Sequence, residues 1–225
     1  MGKRIGEIMK GNSLFSLTIG LTIITLGNLA AFAQSQRYPT NAEIQRIIRE
    51  FQKRASSPPY SRECCGGTEA DTRTAAQRQQ LESFVKARSQ IDPTVAPFLG
   101  WWVNNDGHIG VYPSNVRGRA CVIRAFPGPS YKFSAGSIDK QHIRLTGELA
   151  GNVLINQKNQ SGNVFLLVAF VDSNNVARAA PGSDIYTSPL LPQDPTKLAV
   201  SRANPQENSK IVRQFKAAGC TASIR

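Results

Sequence analysis

The sequence predicts an α+β protein whose core is a mainly antiparallel meander of about seven or eight strands, forming a small barrel or a sandwich. Short apolar segments separated by turn residues follow one another from residue 98 to residue 180. No segment in that range has the length and the 3.6-residue period of a helix, so helix-connected parallel strands are not expected. Helical periodicity is confined to the flanks, which predicts two N-terminal helices and one C-terminal helix.

Residues 1–33 have the layout of a secretory signal peptide. A basic stretch precedes the apolar segment from Leu14 to Leu29, and Ala31-Phe32-Ala33 offers a small-x-small processing site. No cysteine directly follows that site, which gives no support to a lipoprotein anchor. The alternative is an uncleaved membrane anchor, since the apolar run approaches the roughly 20 residues needed to span a bilayer. We expect cleavage, and therefore a periplasmic or extracellular protein.

The remaining chain divides into three predicted sections. Residues 34–97 form a helical arm with a Cys-Cys-Gly-Gly loop, residues 98–180 form the antiparallel β core, and residues 181–225 form a proline-rich loop and a C-terminal helix packed on the core. About 190 residues suffice for one such core with added helices.

The first helix is predicted after a cap at Thr40 or Asn41. Its apolar side chains recur at i, i+3, i+4 and i+7 as Ile44, Ile47, Ile48 and Phe51. Its other side is basic, and a basic amphipathic helix can lie on an anionic membrane surface. Because Glu43 and Glu50 pair with the basic residues at helical spacing, we prefer a helix that docks its apolar stripe on the core.

A second helix is predicted from Asp71 to Ser89, ending before Asp92-Pro93. Leu81, Phe84, Val85 and Arg88 lie on one face of it. The C-terminal helix has a cap at Asn204, proline at the first helical position and glycine at residue 219 as its stop. Its apolar face consists of Ile211, Val212, Phe215 and Ala218.

The predicted strands are Phe98 to Val103, His108 to Tyr112, Ala120 to Ala125, Tyr131 to Ser134, His142 to Thr146, Val153 to Gln157, Val164 to Val171 and Val176 to Ala179. Asp106-Gly107 is a strong hairpin-turn signal between the first two. Ile143 and Leu145 alternate with polar neighbours, as a half-buried antiparallel strand requires. Proline and small polar residues between Pro181 and Pro195 predict a loop.

No motif in the sequence identifies a reaction. Walker, G-x-S-x-G, H-E-x-x-H and G-x-G-x-x-G patterns are absent, so no cofactor is expected. The cysteines and histidines have no zinc-ligand spacing, so no metal is expected. The titratable groups available for acid-base chemistry are Asp106, His108, Asp139, His142 and Glu148. A turn aspartate is also what the predicted hairpin at residue 106 needs, so a structural role is preferred.

The four cysteines are Cys64, Cys65, Cys121 and Cys220. Adjacent cysteines close a small strained ring if joined to each other, and free thiols rarely persist outside the cytoplasm. We therefore expect Cys64 and Cys65 each to bond to one of the other two, in either connectivity, and to pin the helical arm to the β core. The alternative is a vicinal redox or soft-metal pair.

Gly100 and Trp102, with Asn104 and Gly107, resemble the first strand of calycin barrels such as lipocalins and avidins, whose lumens hold small ligands. Avidin pockets use several tryptophans, whereas this chain has one adjacent pair, so biotin binding is not implied. Adjacent strand residues face opposite ways, so one of Trp101 and Trp102 should be in the core. A small-ligand site would use Trp101, Trp102, Tyr112 and Arg144.

The formal net charge of +12 falls to +10 when Lys3, Arg4, Lys10 and Glu7 leave with the signal peptide. The excess is spread along the chain, which does not favour a specific nucleic-acid groove. A cationic surface attracts anionic envelope components or partner proteins, although it also serves solubility. The preferred function is a non-catalytic, disulfide-stapled binding module. The alternatives are a calycin-like barrel for a small ligand and an enzyme without a readable motif.

Overall fold

The computed structural model describes residues 37–55, 73–104, 107–126, 130–160, 162–179, 185–198 and 205–222. All of these residues belong to one structural unit, which spans residues 35–225. The predicted signal peptide, Cys64 and Cys65, Asp106 and the predicted cap Asn204 lie outside the described residues. Among the described residues, no helix has the length and apolarity to cross a membrane.

The helices are α1 (Asn41–Ala55), α2 (Ala75–Ser89) and α3 (Pro205–Ala217), with short 3-10 helices η1 (Ala96–Phe98) and η2 (Gly147–Leu149). The strands are β1 (Gly100–Asn104), β2 (Gly107–Pro113), β3 (Arg119–Ala125), β4 (Tyr131–Asp139), β5 (His142–Leu145), β6 (Val153–Lys158), β7 (Val164–Val171), β8 (Ala177–Arg178) and β9 (Ile185–Leu190). The predicted class is confirmed, and each predicted helix and strand has a counterpart in the structure, which adds one further strand, β9.

The strands close into an eight-stranded antiparallel barrel. Each strand from β1 to β7 pairs with the next, and β9 pairs with both β7 and β1. The short strand β8 pairs with Phe170 and Val171 of β7, beyond the part of β7 that pairs with β9. Of the two predicted architectures, the barrel is therefore the one observed.

Strand β9 lies inside the segment that the sequence predicts as a loop, and this prediction is wrong for residues 185–190. Its register with β1 shifts between the pairs Trp101–Leu190 and Val103–Thr187, so β9 has one extra residue there. Pro189 lies in this bulge. Proline has no backbone N–H to donate, but the bulge already interrupts the regular hydrogen-bond ladder, so no ladder bond is lost there. The proline that made the segment resemble a loop is thus accommodated within the closing strand.

The barrel lumen is filled by apolar side chains. The side chains from the strands that form this cluster are Trp102, Ile109, Val111, Ala120, Val122, Ile143, Leu145, Leu154, Leu166, Val168 and Tyr186, each 0–1 % exposed. A ligand-sized cavity would leave the side chains that line it accessible. Among the described residues of the lumen, such a cavity is therefore not present.

Helix α2 and η1 cover one end of the barrel, which we call the α2 end. Leu81 and Phe84 of α2 join the lumen cluster. The side chain of Asn156 on β6 donates to the carbonyl of Pro97 in η1, and Arg73 before α2 donates to the carbonyl of Pro189 at 2.6 Å. These contacts attach the covering segment to β6 and β9, the two strands that flank β7 in the barrel wall.

The other two helices dock on the outside of the barrel. Ile44, Ile47 and Phe51 of α1 are buried against β6, β7, β8 and β9. Ile211 and Phe215 of α3 are buried against the outer face of β1 to β4. The preferred docking role of the first helix is confirmed, and its apolar stripe is not available to a membrane.

The structure contains a disulfide between Cys121 on β3 and Cys220 after α3, with Cα atoms 6.0 Å apart. This pairing corrects our expectation that Cys121 and Cys220 each bond to Cys64 or Cys65. The physical reason is that an antiparallel bridge between Ser114 and Cys220 brings the chain after α3 beside the end of β2. That bridge places Cys220 within reach of β3.

A peptide map tests this disulfide. Without reduction, trypsin should release residues 120–124 joined to residues 217–225 through Cys121 and Cys220, and a link from residues 63–73 to either peptide would contradict the pairing.

The bond closes a loop with a sequence separation of 99 residues. Replacing both cysteines with alanine should lower the free energy of unfolding by about 2–5 kcal/mol, measured by urea denaturation.

Candidate functional site: the loop face at the α2 end

The four residues predicted to bind a small ligand do not meet in one cavity. Trp102 points into the lumen, where its Nε1 donates to the carbonyl of Phe98 at 2.8 Å. Trp101 and Tyr112 lie on the outer face, under α3. Arg144 also faces outward, at another part of the wall, where its guanidinium lies 5.6 Å from the ring centre of Tyr38.

The two tryptophans do face opposite ways, as strand geometry predicts. Trp101 is 5 % exposed and lies across Gly110 of β2, where an added Cβ would collide with its ring. The hydroxyl of Tyr112 donates to the carbonyl of Gln193 at 2.9 Å, and burial raises its pKa far above the usual range. Both side chains are therefore packing residues of the α3 interface.

Among the candidate acid-base groups, Asp139 and His142 come together at the β4–β5 turn. The Nε2 atom of His142 is 3.6 Å from Asp139 Oδ2, and Arg144 Nε is 3.5 Å from the same oxygen. His142 is only 6 % exposed. Because the imidazole is buried, only the Asp139 carboxylate of this pair, 43 % exposed, is open to a substrate.

The remaining described candidates are separate from that pair. His108 stacks on Trp101 with ring centres 5.7 Å apart, and burial lowers its pKa. Glu148 binds Lys210 of α3 at 2.6 Å, and this contact lowers its pKa. Glu148 therefore holds α3 on the barrel. Among the described residues, no group of three or more histidine, cysteine, aspartate or glutamate side chains is placed to hold a metal ion.

Four segments adjoin at the α2 end, namely residues 90–95, 114–119, 191–196 and 218–222, and we call their combined surface the loop face. Residues 90–95 follow α2, residues 114–119 join β2 to β3, residues 191–196 follow β9 and residues 218–222 follow α3. Sequence reasoning did not identify this surface, because its segments are distant in the chain.

Asp92 connects two of these segments. Its Oδ2 accepts a hydrogen bond from the backbone nitrogen of Gly118 at 2.6 Å, and its Oδ1 accepts from the nitrogen of Thr94 at 3.0 Å. Burial alone would raise its pKa, but the bonds from Thr94 and Gly118 outweigh burial and lower the pKa. The buried carboxylate therefore stays ionised and fixes the loop after α2 against the loop after β2.

The segment after α3 is fixed to the same loop. The nitrogen of Asn115 donates to the carbonyl of Gly219 at 2.8 Å, and the nitrogen of Thr221 donates to the carbonyl of Pro113 at 3.1 Å. Gly219 has a φ of +67°, and an added Cβ would collide with the Asn115 side chain. A glycine therefore both ends α3 and permits this contact.

An open groove of about 250 Å³ lies between the segments after β9 and after α3. It is lined by Asp194, Thr196, Val212, Phe215, Lys216 and Cys220. The hydrogen bond from the Thr196 side chain lowers the pKa of Asp194, and Lys197 and Lys216 lower it further. Residues 194–196 therefore lie beside the segment after α3, across this groove.

The loop face combines exposed apolar and basic side chains. Of the four exposed large apolar residues in the described parts of the chain, Ile91 (59 %), Val116 (48 %) and Leu191 (37 %) lie on this face. The exposed basic residues on it or beside it are Lys86, Arg117, Arg119, Lys140 and Lys197. Exposed apolar and basic side chains gathered at one end of a protein are typical of an interaction site.

The chain matches no protein-family model, no curated protein and no solved structure.

The half-buried His108 and the buried His142 make stability depend on pH. Burial is the main cause that lowers the pKa of His142, while Asp139 raises it and Arg144 and Lys140 lower it further. The unfolded chain therefore binds more protons than the folded chain near and below pH 6.5, the ordinary value of histidine. Stability should be full above this pH and fall as the pH is lowered from 7.5 to 5.5.

Urea denaturation across that range would measure the change. Replacing His108 and His142 with asparagine should reduce the slope between pH 7.5 and pH 5.5, whatever the effect on stability at pH 7.5. An unchanged slope in the double variant would show that the histidines are protonated equally in both states.

Proposed function

We propose that this chain is an exported, disulfide-stapled, cationic β-barrel module that binds an anionic component of the cell envelope through the loop face, without catalysing a reaction. The observation that carries the proposal is the joining of exposed basic and apolar side chains on loops held by Asp92. Export is supported by the layout of residues 1–33, and the disulfide between Cys121 and Cys220 is compatible with it.

The filled lumen supports a role for the outer surface. In a ligand-binding barrel, the lumen would have to leave space for the ligand. Here Trp102 and Phe84 occupy it together with aliphatic side chains from the surrounding strands. Binding by a calycin-like pocket therefore has no geometric support among the described residues.

The placement of the titratable groups supports a non-catalytic role. A general base must come within hydrogen-bond reach of a substrate atom in an accessible position. In the close pair of Asp139 and His142, the imidazole of His142 is buried. The carboxylate of Glu148 binds Lys210. These groups instead contribute to the packing of the barrel wall and of α3.

The positive charge on the loop face suits an anionic partner. Arg117 and Arg119 lie on either side of Gly118, whose nitrogen binds Asp92, so the tether holds both arginines at the α2 end. The carboxylate of Asp92 is buried and satisfied by backbone donors, which leaves the arginines as the outward charges of this loop. Arginine is well suited to phosphate and carboxylate groups because it can donate two parallel hydrogen bonds.

Retention on isolated envelope material tests the proposal. Bound protein should fall as salt rises from low to high concentration, because salt screens the attraction between exposed charges. The variant Arg117→Glu/Arg119→Glu should lose about tenfold or more in apparent affinity, since each basic residue near an anionic surface contributes about 1 kcal/mol.

The matched control is Arg49→Glu/Lys132→Glu. It changes the net charge equally but alters exposed residues of α1 and of β4, away from the loop face. We expect this control to bind nearly as well as the unaltered protein. An equal loss in both variants would mean that net charge alone drives retention, and salt-independent retention would contradict the proposal.

A further inference from the structure

We infer that the anionic component is the surface of a phospholipid bilayer, into whose headgroup region the loop face inserts Ile91, Val116 and Leu191. This inference rests on the proposed function and names the partner of the same face. It is carried by two properties found together, the apolar tips of the loops and the basic residues that flank them.

The apolar tips distinguish a bilayer from an anionic polymer. Single exposed apolar residues are normal on protein surfaces. Here three are gathered on adjoining loops, and the two most exposed of them, Ile91 and Val116, belong to the two loops that Asp92 joins. A wall polymer made of sugars and phosphates would satisfy the charges but would give these side chains no apolar phase to enter. The acyl boundary of a bilayer provides that phase.

The flanking charges are positioned for headgroup phosphates. Val116 is followed by Arg117 and, after one glycine, by Arg119, while Lys86 lies in the last turn of α2 before Ile91. Long basic side chains can keep their charged ends at the level of the phosphates while their stems lie along apolar groups. Anionic lipids add an attraction that acts within a Debye length of the surface.

The face is fixed before it binds. Hydrogen bonds join the loop of Val116 to Asp92 on one side and to Gly219 on the other, and the disulfide holds the segment after α3 to β3. A surface that is already ordered loses little conformational freedom on binding. The apolar stripe of α1 is buried against the barrel, so it does not compete with the loop face for the membrane.

Co-sedimentation with vesicles tests the inference. The protein would be the chain from residue 34, recovered after export, and the probes would be vesicles of phosphatidylcholine with phosphatidylglycerol and vesicles of phosphatidylcholine alone. We expect binding to the anionic vesicles, weaker binding to the neutral vesicles, and about a fivefold loss for each basic residue removed from the face.

The decisive variant is Ile91→Ser/Val116→Ser, which leaves the charge unchanged. We expect it to lose about tenfold in partitioning to the anionic vesicles, because two apolar side chains no longer enter the bilayer. Its binding to a lipid-free acidic polysaccharide, polygalacturonate, should equal that of the unaltered protein. The matched control is Val176→Ser, because Val176 is 49 % exposed, as Val116 is 48 % exposed, but lies in the β7–β8 connection. Melting curves of the variants would show that each is folded.

Each result bears on the inference. Loss with Ile91→Ser/Val116→Ser and no loss with Val176→Ser supports insertion of the loop face. Equal partitioning of the double variant and the unaltered protein, or an equal loss in the Val176 control, overturns it. Absence of vesicle binding with charge-dependent envelope retention also overturns it but leaves the proposed function standing. Absence of both overturns both.

Discussion

The structure depends on the closing of the barrel by β9, which pairs with β7 on one side and with β1 on the other. Without this strand, the sheet would end at two edges with unpaired backbone groups. With it, the inner faces of eight strands converge on one apolar cluster, into which α2 adds Phe84. The bulge at Pro189 permits the closure, and the carbonyl of Pro189 binds Arg73 before α2. Closure and the covering of the α2 end are therefore physically linked.

Because the lumen is filled and the α2 end is covered, the side chains that a partner can reach lie on the outside of the barrel. Helices α1 and α3 occupy two parts of the outer wall, and their apolar faces are used for docking. The loop face collects apolar and basic side chains that are not used in this way. Asp92 is central because one buried carboxylate orients two loops through the nitrogens of Gly118 and Thr94. The disulfide between Cys121 and Cys220 holds a third segment at the same end.

The local structure was predictable from the sequence because its signals are local. The helical stripe of Ile44, Ile47 and Phe51 and the hairpin signal at Gly107 depend on a few neighbouring residues. Strand β9 was missed because Pro189 is a loop signal unless the bulge opposite β1 is known. The connectivity of Cys121 and the joining of the loops of Ile91 and Val116 through Asp92 were missed because they arise from pairings between distant segments, which periodicity does not report.

We propose above that the α2 end of the filled barrel meets an anionic membrane. Hydrogen–deuterium exchange with and without phosphatidylglycerol-containing vesicles tests it most directly, because it reports which backbone segments become protected. We expect added protection in residues 90–95, 114–119 and 191–196, with little change in residues 172–179 at the opposite end. Protection confined to residues 172–179 or to α1, or no protection in any segment at vesicle concentrations that sediment the protein, would contradict the account.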